Sequence, residues 1–422
     1  MKRTVAPWTA PPRCTIRVPG DKSIAHRRVL FAAVADGPCT VKGLPDGADV
    51  RASVGLVAAL GVSVESVAGG IRLSPPSVLR SPAGLVQCGN SGTTMRIGAA
   101  LAAHVEGPLS LDGDESLRRR PMGRVLEPLA RFGIGHDGAR VPLRLTGPAR
   151  HRAVVDLALP SAQLRSAVWL AGLRVGVELN SPPGARDHTE RLLLDAGADL
   201  DLEGLRGVLR PSCLAPWAMK VPRDPSSACF WWVAAAITPG AVVHTPDVSL
   251  NPFRTGALDV LRSMGAHVEV ADGQGLGREP MGHVTVTGPG ALVGAHVDGT
   301  LALRCLDEIP ALAIAMAFAG SPSELRDLAE LRVKESDRLA ALEELLSGAG
   351  IEVEARLDGM SIFGGGPRRA VEIDAGHDHR IAMAAAVLGG GGRGAVVGGA
   401  ESVASSYPTF WRHLSRWSAA PR

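Results

Sequence analysis

Apolar positions along this chain switch period at five places, each time across a glycine. In "VGLVAALGVSVES", "VLEPLARFGIGHD", "RLLLDAGADLDL", "VLRSMGAHVEV" and "LEELLSGAGIEVEA", helical spacing gives way to alternation. The pivots are Gly61, Gly133, Gly197, Gly265 and Gly350. Each segment predicts an amphipathic helix closed by a C-cap glycine and followed at once by a strand. The pivots recur at intervals of one scale. They therefore read as copies of a repeated α/β unit, with a degenerate sixth over 380–399. The stretch "KVPRDPSSACF" (220–230) places Pro, Asp and Ser between the third and fourth copies, leaving three copies on either side.

Bulk properties bound the reading. A length of 422 residues suits two or three domains, each with its own core. The net charge of +3, on scattered basic residues, argues against nucleic acid as a partner. The longest apolar runs, "ACFWWVAAAI" and "ALAIAMAFAG", fall short of the ~20 residues that cross a membrane. They read as buried helices, so no membrane partner is expected. The six cysteines form no C-x-x-C pair, and the N-terminus lacks an apolar signal core. Both features favour a reduced, cytoplasmic setting.

Polar residues gather at the starts of apolar helices. Only five of the basic residues are lysines: Lys2, Lys22, Lys42, Lys220 and Lys334. Lysine, unlike arginine, exchanges a proton once its surroundings shift it. In "VPGDKSIAHRRVLFAAV" (18–34), Lys22 begins a helix, where the macrodipole disfavours a cation unless an anion is to be met. Ser23 and Arg27 share one face of that helix. "CGNSGTTMRIGAALAAH" (88–104) sets small donors before an apolar helix, as an anion cradle requires. "ESLRRRPMGRVL" (115–126) offers Arg118, Arg119, Arg120 and Arg124, without a means of choosing among them. Ser161 and Gln163 stand at the mouth of another buried helix.

The second half repeats the theme. Asp307 and Glu308 begin "LDEIPALAIAMAFAG", with Asp307 as N-cap the plain structural alternative. "LRVKESDRLAAL" (331–342) places Lys334, Glu335 and Arg338 on one predicted helix. His377, Asp378, His379 and Arg380 head a further apolar helix; no wider ligand pattern makes them a metal site. Cations and small donors with few carboxylates suit a compact polyanion held between two domains, with Asp and Glu left for proton transfer.

These motifs resemble one family. "PGDKSIAHR", "GNSGTTMR", "RRPM", "PSAQ", "RDHTE", "DPSSA", "DEIP", "LRVKESDRL" and "DHRIAM" follow the order found in the 5-enolpyruvylshikimate-3-phosphate synthases, over about residues 14–415. The resemblance implies an α/β (α+β) fold: a two-domain inside-out α/β barrel. Each domain would hold three βαβαββ units, with the active site in the interdomain cleft. Residues 1–18 plus 229–422 would form one domain and 19–228 the other. The implied activity transfers the enolpyruvyl group of phosphoenolpyruvate to the 5-hydroxyl of shikimate 3-phosphate. The implied protein is a cytoplasmic monomer acting on two small molecules, with no metal and no cofactor.

The resemblance also implies residue roles. Lys22, Ser23, Arg27, Ser161, Ala162, Gln163, Asp307 and Lys334 would hold shikimate 3-phosphate. Lys22, Asn90, Gly92, Arg120, Gln163, Arg338 and Arg380 would hold phosphoenolpyruvate. Asp307 would take the proton of the attacking hydroxyl, Glu335 would protonate the methylene carbon, and Lys22 would lie between both ligands. Two positions depart from the family pattern. Ala185 stands where many members have a phosphate-binding serine, and Ser405 where several have a lysine. Other readings are a same-fold transferase acting on UDP-N-acetylglucosamine or on a specialised cyclohexene, and a silent anion-binding paralogue. The first usually carries a loop cysteine that this chain does not match.

Overall fold

The computed structural model describes residues 1–275 and 277–419. The chain forms two compact units. One comprises Gly20–Val221 with residues 277–279, and the other Met1–Pro19, Pro222–Gly275 and residues 280–419. The second crossing thus falls earlier than the expected 228/229 step. Asp224 caps the helix Pro225–Ala236, which is buried throughout and packs into the core of the second unit from Ala228 onward. The excursion at 277–279 was not expected.

Each pivot glycine does what the pattern predicts. Gly61 has φ 98° and Gly350 φ 82°, in the left-handed region that costs a residue with a side chain most. Gly61 follows the helix Ala48–Ala59 and precedes the strand Ser63–Val67. Gly350 likewise separates Arg338–Gly348 from Val353–Arg356.

The unit containing Gly20–Val221 holds three four-stranded sheets of one design. In the plainest, Ala153–Asp156 pairs in parallel with Val177–Asn180. That strand runs antiparallel to Arg206–Leu209, which runs antiparallel to Leu200–Glu203. The helices Ala162–Val175 and His188–Asp195 make the crossovers, so the element order is βαβαββ. Val86–Gln87, Gly107–Asp112, Leu143–Gly147 and Gly135–Asp137 repeat the order. The third sheet completes it from the far end of the unit, with Ala218–Lys220 beside Cys39–Lys42.

The other unit repeats the plan with a variation. Arg13–Thr15 opens one four-stranded sheet beside Val242–Ser249, and His296–Val297 opens another beside Ser323–Leu325. The sixth copy is degenerate. Val371–Asp374 and Ala395–Gly398 pair in parallel, and Arg3–Val5 adds the antiparallel strand.

Each unit encloses a continuous apolar core. Three helices are buried almost all round in each. They are Lys22–Ala32, Gly92–Ala99 and Ala162–Val175 in one, and Pro225–Ala236, Ile309–Ala317 and His379–Gly391 in the other. Such helices are largely apolar on every side, and the few polar residues buried within them, such as His26 and Arg27 of the first, form hydrogen bonds with neighbouring helices. Full burial of a side chain such as Phe31 or Leu312 contributes about 1.5–3 kcal/mol.

Candidate active site

In the unit containing Gly20–Val221, three buried helices begin with a capped turn. The Asp21 carboxylate accepts from Ile24 N at 2.9 Å, Ser91 Oγ from Thr94 N at 3.1 Å, and Ser161 Oγ from Leu164 N at 3.5 Å. The caps satisfy backbone donors that would otherwise be orphaned. Side-chain bonds then tie these helix starts together. Arg27 Nη2 donates to Ala162 O at 3.1 Å, linking the first helix to the third. Gln163 Nε2 donates to Thr93 Oγ1 at 2.9 Å, and Arg96 Nη1 to Gln163 Oε1 at 2.7 Å, linking the third to the second. Ser23, Arg27, Ser161, Ala162 and Gln163 are thus brought together. Lys22 adjoins them in sequence and pairs with Asp49 at 2.9 Å.

Asn90, Gly92 and Arg120 form a second group in this unit. Arg120 is 8% exposed and donates through Nη2 to Asn90 Oδ1 and, at 3.3 Å, to Ser116 Oγ. A Cβ on Gly92 would stand 3.1 Å from Arg120 Nη1 and 3.3 Å from Arg96 Nη1. Glycine here lets two guanidinium groups approach the backbone at a helix start. The neighbours of Arg120 serve elsewhere: Arg118 Nε donates to Asp112 at 2.9 Å, and Arg119 pairs with Glu115 on the exposed surface.

The other unit carries the carboxylates. Asp307 Oδ1 lies 3.7 Å from Arg338 Nη1 and 3.6 Å from Arg380 Nη2. Arg380 also donates to the Asp307 carbonyl. Arg338 is 1% exposed; its Nη2 donates to Glu335 Oε2 at 2.6 Å and its Nε to Asp378 Oδ2 at 2.9 Å. Burial works against the Arg338 charge, but Asp378 and Glu335 outweigh it and raise its pKa. Burial likewise disfavours the Asp378 carboxylate, and Arg338 overrides it, holding the group below the ordinary range. Burial lowers the Lys334 pKa against the pull of Asp307 and Glu330, which makes its proton easier to release.

Two local expectations are corrected here. Lys334 and Glu335 are not on the helix of Arg338. A 3₁₀ turn, Ala329–Val333, ends before them, and the helix Arg338–Gly348 starts after them. Asp337 is the reason: its carboxylate accepts from Ala340 N at 3.1 Å and restarts the helix there. Asp307 is not a helix cap either, since Glu308 occupies that place before Ile309–Ala317.

Several neighbours had no role in the sequence reading. Asp49 carried no motif signal. Arg96 lies one helical turn beyond Gly92 in "GNSGTTMR", a spacing that could have flagged it. Asp378 caps its helix through Arg380 N at 2.9 Å and also receives Ser336 Oγ at 2.9 Å. It is thereby the anchor of Arg338, while the adjacent His377 is exposed. Among the described residues, no group of His, Cys, Asp and Glu could hold a metal ion. Ala185 is buried, and Ser405 ends a 3₁₀ turn with its Oγ enclosed.

Paired anion-ready helix starts and an arginine-flanked carboxylate fit an enolpyruvyl transferase, and comparison with known proteins agrees. The EPSP synthase from Acinetobacter baumannii matches with TM-score 0.87 and 35% identity, over 99% of this chain and 98% of that one. The enolpyruvyl transferase NikO from Streptomyces tendae shares the fold, with TM-score 0.77 at 17% identity over 99% of this chain and 97% of that one. Two proteins named 3-phosphoshikimate 1-carboxyvinyltransferase, from Herpetosiphon aurantiacus and Roseiflexus castenholzii, are each 44% identical. The first match covers 96% of both chains, the second 96% of this chain and 97% of its relative. The family model for EPSP synthase (3-phosphoshikimate 1-carboxyvinyltransferase) matches residues 9–414. The chain belongs to the EPSP synthase family.

Proposed function

We propose that this enzyme transfers the enolpyruvyl group of phosphoenolpyruvate to the 5-hydroxyl of shikimate 3-phosphate and releases phosphate, a step towards aromatic amino acids. The observation that carries the reading is the Asp307 carboxylate flanked by Arg338 and Arg380, with Glu335 on Arg338. A base and an acid beside fixed cations are what the chemistry needs.

The steps follow from charge and proton balance. Glu335 gives a proton to the methylene carbon of phosphoenolpyruvate, building positive charge on the central carbon. The 5-hydroxyl attacks that carbon and Asp307 takes the hydroxyl proton, giving a tetrahedral intermediate. The Glu335 carboxylate then removes a proton from the new methyl group. The carbon–oxygen bond to phosphate breaks, the departing phosphate carries off the proton held by Asp307, and the enol ether is left.

The remaining residues bind and orient. Arg27 and Ser23 meet the carboxylate of shikimate 3-phosphate, Ser161 and Ala162 its phosphate, Gln163 its ring, and Lys334 its ring hydroxyls. Arg120, Arg338 and Arg380, with Asn90 and Gly92, hold phosphoenolpyruvate, and Lys22 serves both ligands. No cofactor or metal has a part in this scheme. The reading includes a monomer in the cytoplasm. Separately, no helix among the described residues is long and apolar enough to cross a membrane. Phosphate release by purified protein supplied with both substrates tests the reading. Release that does not depend on shikimate 3-phosphate overturns it.

A further inference from the structure

Arg27 is 3% exposed, and neutral oxygens alone hold it at bonding distance. Its Nη1 donates to Ser23 O at 2.8 Å and its Nη2 to Ala162 O at 3.1 Å. Its single Nε–H is shared between Thr189 Oγ1 at 2.9 Å and Ser166 Oγ at 3.1 Å. Among the described residues, no carboxylate lies within ion-pair distance. Burial pushes its pKa down to about 10, so the charge is kept at a cost. A buried cation without an anion of its own is poised to receive one.

The two hydroxyls have a definite proton order. Ser166 Oγ donates to Ala162 O at 2.6 Å, which uses its only proton. Thr189, 2.6 Å away, must therefore donate to Ser166 Oγ. Both oxygens then turn lone pairs towards Nε–H. Thr189 stands on the helix His188–Asp195 and Ser166 on Ala162–Val175, while Arg27 belongs to Lys22–Ala32. Three helices thus grip one guanidinium. Because the group is planar and rigid, fixing Nε and one N–H on each Nη fixes the direction of the N–H groups left over.

We propose that Thr189 is a positioning residue for substrate binding, whose hydroxyl, working with Ser166, sets the plane of Arg27 against the carboxylate of the cyclohexene substrate. This rests on the reading that Arg27 meets that carboxylate. Thr189→Val keeps the shape and removes the acceptor.

The test is steady-state kinetics on the full chain, with shikimate 3-phosphate and with its analogue whose carboxylate is reduced to a hydroxymethyl group. Thr189→Val is expected to raise KM for shikimate 3-phosphate about tenfold. Turnover and KM for phosphoenolpyruvate should stay within about twofold, and Thr189→Ser should restore the wild-type value. With the neutral analogue, wild type and Thr189→Val should be equally weak. Ser166→Ala removes the other acceptor and carries the same expectation should the valine variant fail to fold. An unchanged KM in both variants overturns the proposal. So does an equal loss with both substrates, which marks a general structural defect. A wild type that does not use shikimate 3-phosphate overturns the functional reading instead.

Discussion

Arg338 donates through Nη2 to Glu335 at 2.6 Å, so the proposed proton donor is bonded to a proposed ligand-binding cation. Phosphoenolpyruvate, as an anion, competes with Glu335 for Arg338. Ligand binding at Arg338 would then loosen this bond and turn the Glu335 carboxyl towards the ligand.

Glu335→Gln tests this directly. The amide oxygen can still accept from Arg338, so both substrates should bind with near-normal affinity by calorimetry. Phosphate release should fall by about two to four orders of magnitude, the usual worth of a lost acid–base group. Near-normal turnover would remove Glu335 from the mechanism.

Gly92→Ala places a methyl 3.1 Å from Arg120 Nη1 and 3.3 Å from Arg96 Nη1. These are the ends of flexible side chains, so they should shift by a few tenths of an ångström and the fold should hold. KM for phosphoenolpyruvate should rise several-fold, and inhibition by glyphosate, which the family resemblance implies takes the phosphoenolpyruvate site, should weaken more strongly. If neither changes while the variant melts normally, "GNSGTTMR" does not serve that ligand.

Ala185→Ser adds a hydroxyl at a buried position beside "RDHTE". A hydrogen bond to a charged group contributes roughly 1.5–3 kcal/mol. The variant should therefore bind shikimate 3-phosphate about tenfold more tightly and leave phosphoenolpyruvate alone. Unchanged affinity in a titration would mean that another donor already fills the place.

His104 yields a pH prediction. Its Nε2 lies 2.8 Å from Leu170 O, and burial lowers its pKa from 6.5 to about 4. The unfolded chain binds this proton more readily than the folded one. Its contribution to stability is therefore complete above pH 6.5 and lost as the pH falls towards 4. Urea midpoints measured between these limits should fall less steeply for His104→Gln than for the wild type. Parallel profiles would show that other groups set the acid limb.

Much of this protein was determined by local sequence. The glycines at 61, 133, 197, 265 and 350 announce their helix–strand junctions because positive φ and a change of apolar period are properties of a few adjacent residues. The wholly apolar helices were legible for the same reason, as was the concentration of polar groups at their starts. The motif order also carried the family, which lent roles to residues that periodicity could not rank.

Tertiary structure alone decided which partners those residues take. The pairing of Lys22 with Asp49, of Arg338 with Asp378, and of Arg27 with Thr189 joins residues far apart along the chain. No local pattern encodes such pairs; packing of separate helices creates them. Residue spacing could not tell Arg120 from Arg118 and Arg119; the family resemblance singled it out, and the fold turns it towards Asn90 while sending the others to Asp112 and Glu115. The break before Arg338 belongs here too. The stretch 331–342 reads as one helix through Lys334 and Glu335, yet Asp337 starts a new helix after them by offering its carboxylate to Ala340 N. A side chain competing for a backbone donor outweighs propensity at such a point. It leaves Glu335 off the helix but still bonded to Arg338.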